Sequence, residues 1–398
     1  MMEPHMAGRY GVISLLKDAR IRKGAPVIVR ADFDVALFKG GVADSSRIKA
    51  VAPTLRALQR LGARVRIIAH LGRPQGVYDA KLSLAPVGRV LARILHRSIV
   101  FVEDPFAPGM MKKYNNAEDT LLFENIRFWP GEERNSSAFA RWLARWGDLY
   151  VNEAFANCHR AHASMVGVPK LMPAFAGIHL ADEIAMLERV MKNPKRPLVA
   201  VFGGAKIGTK LPLIRRFLRD ADYVLVGGAL ANTLFVAAGK SIGKSLAEQE
   251  KKDLRLLLKN KKLMLPSDIV VTRAPKSGMA LGVRTVDTIG ADEYIVDIGP
   301  ATRKSFAAVI NEAKTVVWNG PMGRAEVMVC AKGTVAIAKA IQEASGFSMV
   351  GGGDTIAALK RTRMLKGFGH VSTGGGAMLE FLSGKKLPAI EALKKSRQ

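Results

Sequence analysis

Short apolar runs alternate with amphipathic helical stretches from one end of this chain to the other, and no other feature restricts its fold as tightly. Segments 27–35, 64–70, 98–102, 148–155, 197–204, 223–229, 294–299, 315–320 and 347–353 have the length and apolar content of strands. Between them, 46–61, 82–96, 136–146, 178–192, 207–219, 246–260, 302–312 and 331–345 read as helices. Strands separated by helices of ten or more residues imply a parallel sheet covered on both faces. The predicted fold is therefore α/β, and 398 residues suffice for two such lobes, each with its own core. The periodic helix that ends in Asn193-Pro194-Lys195-Arg196-Pro197 divides them. This predicts lobes at 1–180 and 197–376, a helical hinge at 181–196 and a C-terminal segment at 377–398.

In open parallel sheets ligands bind beyond the carboxyl ends of the strands, so the residues that follow each strand are where chemistry is expected. In the first half those residues are basic. Alternation along VIVRADFDV puts Arg30, Asp32 and Asp34 on one strand face, a costly placement unless the charges are paired or solvated. His70 and Arg73 follow the next strand in HLGRP, Arg127 lies in LLFENIRF, Arg160 in HRAH, and Arg47 opens a helix. Arginine suits bidentate contact with phosphate and carboxylate, and its recurrence at these positions is the signal. HRAH has no cysteine or carboxylate partner at ligand spacing, which argues against a zinc site.

The second half uses glycine and lysine instead: GGAKIGTK, GGALANT, WNGPMG, GGGDT and STGGG. Glycine-rich turns between strand and helix let backbone N–H groups approach phosphate, where the helix N-terminus adds a favourable field. Lys206 and Lys210 share a helix face beside one such turn, and Asp354 is placed to help hold Mg²⁺ near phosphates. The run Ala238–Ser245 resembles a P-loop but begins with Ala and follows a helical stretch, so it is rejected. With no paired carboxylates, Ser-His-Asp order or zinc spacing, the chemistry suggested is phosphoryl transfer.

Charge and cysteine content set the remaining bounds. The 61 Lys and Arg exceed the 34 Asp and Glu by 27, which attracts nucleic acid, anionic membranes or phosphorylated metabolites alike. No nucleic-acid-binding motif is present and the basic residues are scattered, so weak, non-specific nucleic-acid binding is expected at most. Two cysteines, Cys158 and Cys330, fit a reducing compartment, and the chain's start lacks a signal-peptide pattern. With no apolar run long enough to span a membrane, a soluble, cytoplasmic, monomeric protein is expected.

The motifs RADFDV, DSSRI, HLGRP, ENIRFWPGEE, AFANCHRAHASMVG, GGAKIGTK, DIGP, VVWNGPMG, GGGDT and HVSTGGGAMLEFLSGKKLP occur in the order found in phosphoglycerate kinases. The resemblance covers about residues 12–392. It implies a two-lobed glycolytic kinase: the N-terminal lobe binds 3-phosphoglycerate or 1,3-bisphosphoglycerate, the C-terminal lobe binds ATP or ADP with Mg²⁺, and the chain's end returns to the N-terminal lobe. It further implies that Arg30, Asp32, Asp34, Arg47, His70, Arg73, Arg127 and Arg160 bind the three-carbon substrate, with Arg47, Lys206 and Lys210 catalytic. Lys210, Gly227, Gly228, Gly299, Asn319, Glu326, Gly352, Gly353, Asp354 and Thr355 would bind nucleotide, Asp354 the metal, while Gly353 and Gly375 would lie at the interlobe face. Two other readings compete, a basic nucleic-acid-binding protein and an inactive kinase-like scaffold.

The chain also departs from the family pattern. Where D-x-N-V-P is usual it has Asp32-Phe33-Asp34-Val35-Ala36, and Ala156 replaces the usual glycine before the T-A-H-R stretch. Gly323-Arg324-Ala325-Glu326 keeps the acid of G-V-F-E but loses the aromatic residue. A charge of +27 is extreme for a metabolic enzyme.

Overall fold

The structure, a computed structural model, describes residues 13–248, 254–275 and 281–396. The chain divides into two compact units, one running to Ala185 and resuming at Lys386, the other Met186–Lys385.

The first unit is built on a six-stranded parallel sheet. Its strands are β1 (Pro26–Arg30), β2 (Arg64–Ile68), β3 (Ile99–Val102), β4 (Thr120–Phe123), β5 (Leu149–Asn152) and β6 (Ala174–Ala176), in the order β3-β4-β2-β1-β5-β6. β1 is central, in register with β2 from Pro26↔Arg64 to Arg30↔Ile68. Helix α1 (Ser46–Arg60) covers it, burying Ile48, Val51, Ala52, Leu55 and Leu58, the three-and-four spacing of one helix face. These side chains join Val27, Val29, Phe33 and residues of helix α2 (Ala85–Leu95) in one core.

The second unit repeats the plan. Its parallel strands are β7 (Leu198–Phe202), β8 (Tyr223–Val226), β9 (Leu263–Met264), β13 (Thr315–Asn319), β14 (Phe347–Gly351) and β15 (His370–Ser372), in the order β9-β8-β7-β13-β14-β15. β7 and β13 are buried at every position, as continuous apolar runs in a covered sheet require. Trp318, fully buried on β13, anchors this core and donates from its indole nitrogen to Gly320 O at 2.8 Å.

Three differences from the sequence reading have physical causes. β1 stops at Arg30 instead of continuing to 35, because Asp34 N donates to Asp32 Oδ1 and Val35 N to Phe33 O, which turns the chain out of the sheet after Ala31. The segment 294–299 is not in the parallel sheet. It forms β12 (Tyr294–Ile298) of a separate antiparallel sheet with β10 (Asp268–Thr272) and β11 (Gly282–Thr285). The chain leaves the second unit at Lys386 and not at 377, since 377–382 belong to the helix Gly375–Leu382, which packs on the helix Ile207–Asp220 of that unit. Of the helix expected at 246–260, Leu254–Leu258 is helical, 246–248 and 259–260 are not, and 249–253 lie outside the described residues, as do residues 1–12 at the chain's start. The connecting helix runs Ile178–Lys192, as the periodicity predicts, and the unit boundary falls within it. No helix among the described residues is long and apolar enough to cross a membrane.

Candidate functional site

In the first unit the loops after β1, β2, β4 and β5 bring Arg30, Arg47, His70, Arg127 and Arg160 near one another. Arg47, in the first turn of α1, reaches Asp32 with Nη1 at 3.1 Å from Oδ1 and 3.0 Å from Oδ2. Asp34 accepts from Gly72 N at 2.9 Å, and its other oxygen lies 3.9 Å from His70 Nε2. Arg127 is buried and donates from Nη1 to Gly72 O at 2.7 Å, while its Nη2 has no hydrogen-bond partner among the described residues. Burial, with Arg30 and Arg160 nearby, pulls its guanidinium down to about 10. A buried cationic donor left without an acceptor marks a place for an anion. Arg73 is exposed on the same loop, and Arg160 half-buried.

Arg30 is different. Its guanidinium is wholly buried, with Nε donating to Ser164 Oγ at 2.9 Å, Nη1 to Ala31 O at 2.6 Å and Nη2 meeting His70 Nδ1 at 3.1 Å. Ser164 in turn donates to Glu132, through Oγ at 2.6 Å and N at 2.9 Å. Glu132 has no exposed surface, and burial raises its carboxyl above the usual range. Sequence reasoning missed Glu132 and Ser164, although both lie in the motifs ENIRFWPGEE and AFANCHRAHASMVG, because no spacing pairs residues 32 positions apart. His162 Nδ1 lies 3.8 Å from Glu132 Oε1, and burial pulls its imidazole down to about 3. No group of three or more metal-ligating side chains gathers among the described residues.

The second unit carries a cavity of about 730 Å³ at the carboxyl ends of its strands. Gly228, Glu326 and Asp354 line it, with Ile298, Met322 and Arg361. Two glycine turns are dictated by space. Gly228 has φ +63° and a Cβ there would lie 2.7 Å from Gly204 N; Gly352 has φ +100° and its Cβ would lie 2.7 Å from Asn319 Nδ2. Asn319 and Thr355 tie the Gly352 turn to the end of β13: Asn319 Nδ2 donates to Gly351 O at 2.9 Å, and Thr355 Oγ1 accepts from Gly320 N at 2.7 Å. Lys210 is buried and its ammonium donates to Gly203 O. Burial pulls it down to about 8, against the raising influence of Asp354. Lys206 caps the same helix and is exposed. Gly227 N donates to Phe202 O, and Gly299 is buried against Asp268; neither lines the cavity. Glu326 is exposed and pairs with Arg324 at 3.2 Å. Gly353 and Gly375 open helices, and a Cβ on either would meet nothing within 4 Å. Asp354 is a lone exposed carboxylate in the first turn of the helix Gly353–Arg361. Mg²⁺ in kinase sites takes one or two carboxylates and completes its shell with phosphates and water, so this residue fits a metal that arrives with a nucleotide.

A parallel-sheet unit with a buried arginine whose donor lacks a partner, joined in one chain to a second with a nucleotide-sized cavity lined by Gly204, Gly228 and Asp354, has the features of an α/β phosphotransferase. The family model described as phosphoglycerate kinase matches residues 16–385, and the chain belongs to that family. It is 42% identical over 379 residues to the phosphoglycerate kinase of Pelotomaculum thermopropionicum, covering 93% of this chain and 96% of that one. The Thermus thermophilus enzyme is also 42% identical, over 383 residues, covering 93% and 97%. Among solved structures, phosphoglycerate kinase from Coxiella burnetii superposes with a TM-score of 0.85 at 37% identity, covering 96% of this chain and 99% of that chain.

Proposed function

We propose that this chain catalyses reversible phosphoryl transfer between 1,3-bisphosphoglycerate with ADP and 3-phosphoglycerate with ATP, as a monomeric cytoplasmic enzyme of glycolysis and gluconeogenesis. Family membership carries the reaction class. The observation that carries the site assignment is the unsatisfied donor of buried Arg127 near Arg30, His70 and Arg160, with Arg73 exposed on the His70 loop. In this reading those residues hold the carboxylate and phosphate of the three-carbon substrate, while Asp32 and Asp34 face its glycerate portion.

The nucleotide would occupy the cavity lined by Gly228, Glu326 and Asp354, with Lys206, Lys210 and the N-terminus of the helix Gly353–Arg361 directed at its phosphates. Asp354 would hold Mg²⁺, which supplies charge neutralisation when bound. The acceptor is a carboxylate already ionised at neutral pH, so no general base is needed. Arg47 would stabilise charge on the transferring group, and exclusion of water strengthens every such contact.

A coupled assay of ATP- and Mg²⁺-dependent phosphorylation of 3-phosphoglycerate tests the proposal. Absence of transfer in both directions would reject it in favour of an inactive scaffold. A weak side property is also proposed, non-specific nucleic-acid binding through the face made by α1 and α2. From Arg47 to Arg97 the chain has a single acidic residue, Asp79, and Lys49, Arg60, Arg89, Arg93 and Arg97 are exposed there without ion pairs among the described residues.

A further inference from the structure

A line of four buried side chains runs from Glu132 through Ser164 and Arg30 to His70, beneath the anion site of the first unit. Each link has a defined direction. A guanidinium can only donate, so His70 Nδ1, 3.1 Å from Arg30 Nη2, must accept. The proton of a neutral imidazole is then on Nε2. On that side stands the Asp34 carboxylate, 3.9 Å away, which favours a hydrogen on Nε2 for the same reason. Burial, together with Arg30, Arg127, Arg47 and His162, keeps His70 neutral.

Arg30 performs this role only if it is held. Its Nε donates to Ser164 Oγ, whose own proton goes to Glu132 Oε1. Glu132 also takes the Ser164 backbone N–H, and Tyr150 OH donates to Ser164 O at 2.8 Å, so Ser164 is fixed from three sides. We propose that Glu132 and Ser164 are positioning residues that hold Arg30 so that it locks His70 in the Nε2–H form, which presents a neutral hydrogen-bond donor to the anionic three-carbon substrate. Arg30, expected from sequence to bind that substrate, acts here through His70. The proposal rests on the reading of this site as the 3-phosphoglycerate site, yet its first test needs no substrate.

Two-bond ¹H–¹⁵N correlation spectra of the ¹⁵N-labelled full chain at pH 7 distinguish the two tautomers and the imidazolium, with the His70 signals identified by their loss in His70→Gln. The wild type should show His70 with its proton on Nε2, and Ser164→Ala should convert this to a tautomer mixture. Glu132→Met, which is close in volume and removes both acceptors that hold Ser164, provides the second variant should Ser164→Ala fail to fold. In the same variants KM for 3-phosphoglycerate should rise about tenfold, the scale of one charge-assisted hydrogen bond, while KM for ATP stays within twofold. A proton on Nδ1 or an imidazolium in the wild type overturns the proposal, as does an unchanged His70 pattern in the folded variants. A changed tautomer with an unchanged KM for 3-phosphoglycerate also overturns it, because the site would then not use the Nε2 proton. Loss of kinase activity in the wild type, by contrast, would reject the substrate reading and leave the tautomer result standing.

Discussion

Arg47 Nη1 donates to Asp32 Oδ1 at 3.1 Å and lies 3.0 Å from Oδ2, which has no hydrogen-bond partner among the described residues, and the arginine side chain remains 31% exposed while the aspartate is 5% exposed. The carboxylate thus orients the guanidinium from below and leaves part of it open to an incoming anion. If Arg47 stabilises the phosphoryl group in transfer, Arg47→Ala lowers kcat by about 10³-fold or more, on the scale of an arginine finger, with a much smaller change in either KM. Steady-state kinetics in both directions check this; an effect confined to KM would assign Arg47 to ground-state binding.

Asp34 stands where the family usually has asparagine. Its carboxylate is tied to Gly72 N and makes no contact with Arg30, whose donors go elsewhere. Replacing it by asparagine keeps an acceptor for Gly72 and removes a negative charge beside an anionic substrate. Asp34→Asn should therefore lower KM for 3-phosphoglycerate several-fold and leave KM for ATP unchanged. A rise in the first constant would refute this reading.

Lys210 loses its proton at about pH 8 because it is buried, and bound phosphates would draw that proton back. Nucleotide affinity should accordingly weaken about tenfold between pH 7 and pH 9, the limit for one proton taken up on binding over roughly one pH unit. In Lys210→Arg, whose guanidinium stays charged, that dependence should vanish. Titration calorimetry with ADP across this range makes the comparison.

Glu153 is buried at the start of the helix Ile178–Lys192, where it accepts from Thr54 Oγ1, His179 N at 3.3 Å and Leu180 N at 3.1 Å. Burial nevertheless raises its carboxyl to about 7. A folded value above the unfolded one means that the folded state holds the extra proton between pH 4.5 and 7. The associated stability is present at low pH and lost as pH rises through 7. Glu153→Gln should match the wild type near pH 4 and exceed it at pH 8 by about 3 kcal/mol, read from urea unfolding at the two pH values.

The basic face of α1 and α2 predicts binding to single-stranded RNA or DNA that is detectable at low salt and lost at moderate salt. Replacing Lys49, Arg60, Arg89 and Arg93 together by alanine should flatten the salt slope by up to about four, without altering transfer kinetics. Salt-resistant binding would revive the nucleic-acid-binding reading as a primary function.

Much of this protein is legible in its sequence, because parallel strands buried on both faces and helices with one apolar face carry their periodicity locally. The helix Ile178–Lys192, the strands around Val27–Arg30 and Val316–Asn319, and the arginine- and glycine-rich loops that follow strands are of this kind. What local pattern lacks is partner choice. Whether Tyr294–Ile298 pairs parallel with the main sheet or antiparallel with Asp268–Thr272 depends on hydrogen bonds between distant segments, and both arrangements satisfy the same apolar run. The bend after Arg30 breaks the alternation that would have placed Asp32 and Asp34 on its face. Arg30 shows the same limit at the site: its residue type suggests an anion contact, but Ser164, 134 positions away, and His70, 40 positions away, take its donors and turn it into a support. Residue type and position after a strand determine where charge can gather; only the packed chain decides which charges are spent on each other and which are left for a ligand.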